Sequence, residues 1–306
     1  MQLDSAVRTA LPAQGSCYGF EIRSDLRFSS LRGGGGEPLH VQALSSLESV
    51  PKGKLVYEWH EPGFHAQVFF DGRSYGFLVH GIGLFIIDPV SSTISIPPID
   101  DPGLREELLW GVPIVLCFLE RGDLPLHAAA VEINGGAVLF AAPGTYGKST
   151  LAAAFSEAGY RLLSEDVVCL RATPVPSVLP GPATFRLRPD VAERIVVQSA
   201  EAVAGSPDHH QFSLLPHARG DGRSIPLSAI LLLRNSDGPP TVKPLAVQDA
   251  IPDLWALSLR LNNDDGAHCF RTLVEAASGV PVFNLRRRLR IDELPATVAC
   301  IVDAVS

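Results

Sequence analysis

The stretch Ala137–Thr150, A-V-L-F-A-A-P-G-T-Y-G-K-S-T, constrains this chain more than any other. An apolar strand-like run leads into a Gly/Pro-containing turn, and Gly147-Lys148-Ser149-Thr150 then opens a helix-like run over Leu151–Ala158. Strand, glycine turn and helix in that order are the layout of a phosphate-binding P-loop. The chemistry follows from the geometry. Backbone N–H groups of a tight loop and of a helix N-terminus converge on one spot that suits a polyphosphate. Gly144, Thr145, Tyr146, Gly147, Lys148, Ser149 and Thr150 are the expected nucleotide-binding residues. Lys148 brings positive charge to the β- and γ-phosphates, and Ser149 offers a hydroxyl to Mg²⁺. The first glycine of G-x-x-x-x-G-K-[ST] is Ala142 here, a position that needs a small residue more than a left-handed backbone. Strings of this kind also arise on protein surfaces by chance; the flanking strand and helix argue against that.

A P-loop needs a carboxylate near its metal, and Arg161–Leu170 supplies two. Apolar residues on both sides of Glu165-Asp166 predict a strand interrupted by the pair. Adjacent carboxylates within an apolar strand are costly unless they have partners. A Mg²⁺ ion and a reacting hydroxyl are natural ones; the alternative is a solvent-facing turn between two short strands. Only one helix, about Ser149–Ala158, separates the loop from the acids, which predicts a compact phosphotransferase core rather than a motor or switch. Upstream, Leu124–Gly136 reads as strand, turn and strand, with Asn134-Gly135 as a hairpin signal. His127 then lies on the strand paired with the one that feeds the loop. There it could contact phosphate or orient a carboxylate, although a lone histidine in an apolar strand is more often a satisfied core residue.

The order L-H-A-A-A-V, hairpin, P-loop, one helix and G-Y-R-L-L-S-E-D-V-V resembles the core of the HPr kinase/phosphorylase family over roughly Leu124–Leu170. The resemblance implies an α/β fold: a P-loop kinase core of the HPr kinase/phosphoenolpyruvate carboxykinase-like type, a mixed sheet with flanking helices. It implies ATP and Mg²⁺ as cofactors and a catalytic set of His127, Lys148, Glu165 and Asp166. Glu165 takes the general base's place, one methylene longer than the family's Asp, and Ser149 with Asp166 would hold Mg²⁺. The glycine-rich signature that engages the phosphocarrier protein is missing, and residues 1–100 do not resemble the usual N-terminal domain. In layout the chain is closer to the HPr-kinase-like proteins of ribosomally made peptides, the lasso-peptide kinases among them, which implies an acceptor serine on a peptide. Members of the family often form homo-oligomers, so one is possible here.

Composition narrows the partners. The 306 residues carry a net charge of −8, with 46% hydrophobic and 19% charged residues. A substantial core is expected, while nucleic acid and anionic membranes are disfavoured. Cys17, Cys117, Cys169, Cys269 and Cys300 are scattered, without zinc-site spacing, and fit reduced buried thiols in a cytoplasmic protein. Met1–Ser5 lacks the features of a signal peptide. The longest apolar run, Leu108–Leu119, is too short to span a bilayer.

Two domains are expected: a β-rich one over 1–100, either peptide-binding or structural, and the catalytic one over 101–306. In the first, short strands at Val56–Trp59, Ala66–Phe70, Tyr75–Val79 and Gly83–Pro89 are separated by turns, with a flexible loop at Gly33–Gly36. An exposed edge there could add a peptide strand. Leu104–Glu120 reads as one helix after a Pro-rich linker. Arg186 and Arg188 sit at strand spacing on one face and could stabilise a transferring phosphate, or simply face solvent. Glu201–Arg223 reads as an irregular lid or a disordered segment. Ile225–Leu233 and Val280–Leu285 read as strands, and Gln248–Leu261, Phe270–Ser278 and Leu294–Val305 as helices, with a turn at Asp264–Gly266. Arg286, Arg287, Arg288 and Arg290 form a basic cluster that could contact nucleotide or an acidic peptide, but is expected to pair with Glu293 and other surface acids. The expected activity is ATP-dependent phosphorylation of a serine-type hydroxyl. The rivals are a nucleotide-sensing module without transfer, a small-molecule hydroxyl kinase and an NTP hydrolase coupled to another enzyme.

Overall fold

A computed structural model describes residues 11–44, 51–61, 63–195, 197–205, 209–260 and 266–306. The expected start at Met1–Ser5 and the turn residues Asp264 and Asp265 lie outside them. Among the described residues the architecture is mixed α/β, with three sheets and flanking helices.

The first sheet takes strands β1 (Ala13–Cys17), β2 (Phe20–Ser24), β3 (Glu37–Ala43), β4 (Lys54–Glu61), β5 (Phe64–Phe70), β6 (Tyr75–Val79), β7 (Gly83–Asp88) and β8 (Thr93–Ile96). Their order is β1-β2-β3-β8-β7-β6-β5-β4, so β4 is an edge. One face buries Ile22, Leu39, Val41, Ala66, Val68, Phe77 and Ile94 against Ile114 and Phe118. Those two residues lie on helix α2 (Val112–Arg121). The single helix expected over 104–120 is two. Helix α1 (Pro102–Leu109) ends at Trp110, and α2 starts afresh at Gly111, with Pro113 in its first turn. Proline lacks the N–H and its ring clashes with the preceding turn, so it is accommodated where a helix begins rather than where one continues. Glu106 of α1 is buried and accepts hydrogen bonds from the backbone and hydroxyls of Ser29 and Ser30, which ties the helix to the sheet.

The second sheet carries the stretches singled out in the sequence. Strand β9 (Leu124–Ile133) turns through Asn134 and Gly135, both left-handed at φ 52° and 80°, into β10 (Gly136–Ala141). Two left-handed central residues are what an Asn-Gly hairpin turn requires. On its other flank β9 pairs with β11 (Arg161–Ser164) and β12 (Val167–Arg171). Strand β13 (Ser177–Leu179) links β12 to β17 (Ile225–Asn235), and β17 pairs in parallel with β10, so these pairings close on themselves. Beyond β17 lie β19 (Val282–Arg287), parallel to it, and β18 (Thr241–Pro244).

Helices cover both faces of this sheet. Helix α3 (Lys148–Glu157) follows β10 and packs on one face together with the C-terminal helix Leu294–Val305. Helices Val247–Ala256 and Gly266–Ser278 cover the other. Successive residues of β9 and β10 alternate between the two cores, Val138 and Phe140 on one side and Leu139 and Ala141 on the other. Burial on both faces is why these strands read as unbroken apolar runs. The segment expected as an irregular lid contains two strands: β16 (His210–Leu214) pairs with β14 (Thr184–Leu187) on one side and β15 (Ala200–Gly205) on the other, in a third, small sheet. No helix among the described residues is long and apolar enough to cross a membrane.

Candidate active site

The loop between β10 and α3 and the break between β11 and β12 face one cavity of about 620 Å³. Each is shaped by its own sequence. In the loop, Thr145 and Gly147 are left-handed, at φ 68° and 74°. Ala142 is not, so its side chain costs nothing where a P-loop usually has glycine, and its carbonyl accepts a hydrogen bond from Lys148 Nζ at 2.8 Å. Gly147 has a steric reason as well: a Cβ there would lie 2.7 Å from a guanidinium nitrogen of Arg287. Among the described residues, the N–H groups of Gly144, Thr145 and Gly147 donate no backbone hydrogen bond.

At the break, Asp166 is left-handed at φ 72°, and the Val167 N–H donates to the Glu165 carbonyl at 2.9 Å. This is a three-residue turn of the rare, strained kind, costing about 1–3 kcal/mol, at a residue type that tolerates positive φ better than most. The surroundings hold it. The Ala128 N–H of β9 donates to the Asp166 carbonyl at 3.2 Å. Tyr18 Oη and Ser164 Oγ both donate to the Val167 carbonyl, at 2.9 and 2.5 Å.

Side chains join the two halves. Lys148 Nζ lies 2.9 Å from His127 Nε2, and His127 Nδ1 lies 3.2 Å from Asp166 Oδ1. A charged ammonium has no acceptor, so Nε2 accepts and Nδ1–H donates, which fixes the imidazole as its Nδ1 tautomer. Ser149 Oγ donates to Glu165 Oε1. The serine hydroxyl therefore meets Glu165, the neighbour of the acid expected to share a cation with it. Arg186, on β14, donates to Asp166 Oδ2 and to Glu107 Oε1, both at 2.7 Å, and its Nε stands 3.9 Å from Glu165 Oε2.

These surroundings push the two acids apart. Burial raises the Glu165 carboxyl to about 7, with Asp166 adding to the rise, against the pull of Arg186 and the Ser149 hydrogen bond. Burial also acts to raise Asp166, but the His127 hydrogen bond and the Arg186 charge outweigh it and hold that carboxyl below its ordinary range. Burial lowers the Lys148 amine, opposed by Asp166 and Glu165.

Of the residues singled out from sequence, His127, Gly144, Thr145, Gly147, Lys148, Ser149, Thr150, Glu165, Asp166, Arg186 and Arg188 line the cavity. Tyr146 does not; its ring packs against the core under α3. Arg186 and Arg188 do not act as a pair. β14 ends at Leu187, and Arg188, 63% exposed, is held in an ion pair with Asp190 at 2.8 Å.

Arg287 departs from the pairing expected of its cluster. As expected, Arg288 and Arg290 pair with Glu293, and Arg290 also with Asp292. Arg287 is 2% exposed and donates to the carbonyls of Tyr146 and Gly147 at 3.3 and 3.1 Å, while its Nε has no partner. No carboxylate pairs with it among the described residues, and burial alone lowers it to about 10. The alternation of β19 carried the signal, because Leu285 and Arg287 fall on the buried face of the strand.

A phosphate chain with Mg²⁺ fits this set. A hydroxyl and an ionised carboxylate are the oxygen ligands Mg²⁺ takes alongside phosphate. Loop amides, Lys148 and a buried arginine without a carboxylate supply the complement to phosphate. No cluster of three or more His, Cys, Asp and Glu among the described residues could hold a metal unaided.

No family model matches the chain, and no curated protein matches it. Among solved structures it is similar to the HPr(Ser) kinase/phosphatase from Coxiella burnetii. That likeness covers 59% of this chain and 95% of that one, at 13% identity and a TM-score of 0.32. A likeness of that grade carries no argument about activity.

Proposed function

We propose that the protein is an ATP-dependent phosphotransferase acting on a hydroxyl, and that the acceptor is a serine side chain of a peptide. One observation carries this reading: a glycine loop with its lysine and serine, and two adjacent carboxylates of opposite ionisation tendency, share one cavity and are hydrogen-bonded to each other. Paired titratable groups pushed apart by their surroundings mark acid–base roles. Glu165, its carboxyl raised to about 7, is the base; Asp166, held below its ordinary range, would hold Mg²⁺ with Ser149 once that hydroxyl leaves Glu165. When bound, Mg²⁺ would neutralise charge on the phosphates. The loop amides, Lys148 and Arg287 would grip the phosphate chain. Glu165 takes the acceptor's proton as its oxygen bonds the terminal phosphorus, and the bond from that phosphorus to the bridging oxygen breaks, releasing ADP. His127 orients Asp166 and receives the Lys148 hydrogen bond.

The test is mass spectrometry of serine-containing peptides incubated with ATP and Mg²⁺. Wild type should add phosphate, whereas Lys148→Ala should bind ATP at least tenfold more weakly and transfer none. Acceptor-independent ADP release by the wild type would refute the reading.

A further inference from the structure

A second cavity, of about 240 Å³, opens on the far side of the acidic pair. It shares Glu165, Asp166 and Arg186 with the first, but its other walls come from elsewhere: Phe64 and Phe77 of the first sheet, Leu108 and Trp110 at the end of α1, and Thr184 of β14. The carboxylates therefore stand between two chambers, one walled by the glycine loop and one walled by aromatic and aliphatic side chains.

The register of the first sheet explains the apolar walls. Phe64, Ala66 and Val68 alternate on one face of β5, and their partners across the edge are Glu61, Trp59 and Tyr57. Ala66, Val68 and Phe77 belong to the core beneath that face. The same face continues past the core: Phe64 is 39% and Tyr57 41% exposed. Trp59 bridges the two regions, its ring 6.3 Å from Phe77 and 4.3 Å from Tyr57. An apolar strip thus runs from the second cavity to the edge strand β4. In the cavity, three carboxylates (Glu107, Glu165 and Asp166) face the single guanidinium of Arg186. An acidic group entering there meets excess negative charge.

Resting on the phosphotransferase reading above, we propose that this second cavity is the acceptor site: it brings a serine hydroxyl to Glu165 and seats an adjacent apolar side chain of an extended peptide against Phe64, Phe77 and Leu108. The volume suits one large side chain rather than a drug-sized ligand. The strip along Trp59 and Tyr57 takes the following residues, which selects a peptide over a free small molecule.

The test uses the whole protein, ATP, Mg²⁺ and three peptides differing in the residue beside one serine: Leu, Gly or Asp. Wild type should phosphorylate the Leu peptide with a kcat/KM about tenfold or more above the Asp peptide, the scale on which apolar pockets discriminate. Phe64→Ala removes an exposed wall, and Thr184→Phe fills the chamber from its half-buried floor. Each should cut kcat/KM for the Leu peptide about tenfold while leaving ATP affinity, read by calorimetric titration, unchanged. Equal use of the three peptides, or wild-type kcat/KM in both variants, would overturn the acceptor site while the kinase reading stands. If wild type binds ATP yet phosphorylates no peptide, both fall together.

Discussion

At the scale of single residues, Glu165 and Arg287 carry the sharpest consequences. Glu165 can take a proton only when ionised. With its carboxyl raised from 4.5 to about 7, kcat/KM should fall on the acid side of an apparent pKa near 7. An ordinary glutamate would still be fully active at pH 6. The same shift has a stability sign. A raised carboxyl disfavours ionisation in the fold, so the group's contribution is full below pH 4.5 and is lost as pH rises through about 7. Glu165→Gln should therefore abolish transfer, yet unfold at higher denaturant than wild type at pH 8, by on the order of 1–3 kcal/mol. The two should coincide at pH 5. Arg287 behaves in the opposite sense to a surface arginine. Replaced by methionine, it removes a buried charge that no carboxylate compensates, so the ligand-free protein should melt within a few degrees of wild type. The upward shift given by ATP and Mg²⁺ should shrink, in line with at least tenfold weaker binding.

Elements were legible where sequence marks them locally. The hairpin at Asn134-Gly135, the strand broken at Glu165-Asp166 and the helix after Gly147 all appear, because each depends on a residue suited to a left-handed turn or on a run of one periodicity. The departures have physical causes too. Residues 104–120 keep helical spacing across Gly111 and Pro113, so apolar periodicity alone could not show the break. The stretch 201–223 is rich in turn-forming and polar residues, but β16 lies between two partner strands, and pairing overrides weak local preference. Arg287 hid in a basic run whose other members behave as solvated charges. Arg32 makes a parallel case. Its side chain is 1% exposed and donates to the carbonyls of Gly181, Leu162, Leu163 and Arg219, locking the segment after β2 to the strand before the acids. Arg32→Met takes a donor from each of these carbonyls; Leu163's keeps the Gly181 N–H at 2.9 Å, and each buried carbonyl left unsatisfied costs about 1–3 kcal/mol. A loss of about 3 kcal/mol or more in urea unfolding is expected, and an unchanged midpoint would show that other donors replace it.

At the scale of the whole molecule, the site is a meeting place of the three sheets. The second sheet supplies the loop, His127 and the acids; the small third sheet supplies Arg186; the first sheet props the acidic turn through Tyr18 and walls the second cavity through Phe64 and Phe77. Nothing in the spacing of residues 13–96 announces this, since contacts 149 positions apart, such as Tyr18 to Val167, leave no local trace. Strand β9 has a further consequence. It runs between the strand that launches the loop and the two strands that flank the acidic turn, paired to all three, and it carries His127 itself. The distance between phosphate grip and base is thus gauged by the width of one strand, about 4.8 Å to either side. Such a gauge has no hinge, so the two halves of the site cannot drift apart while the sheet holds, and substrates must come to a spacing already set.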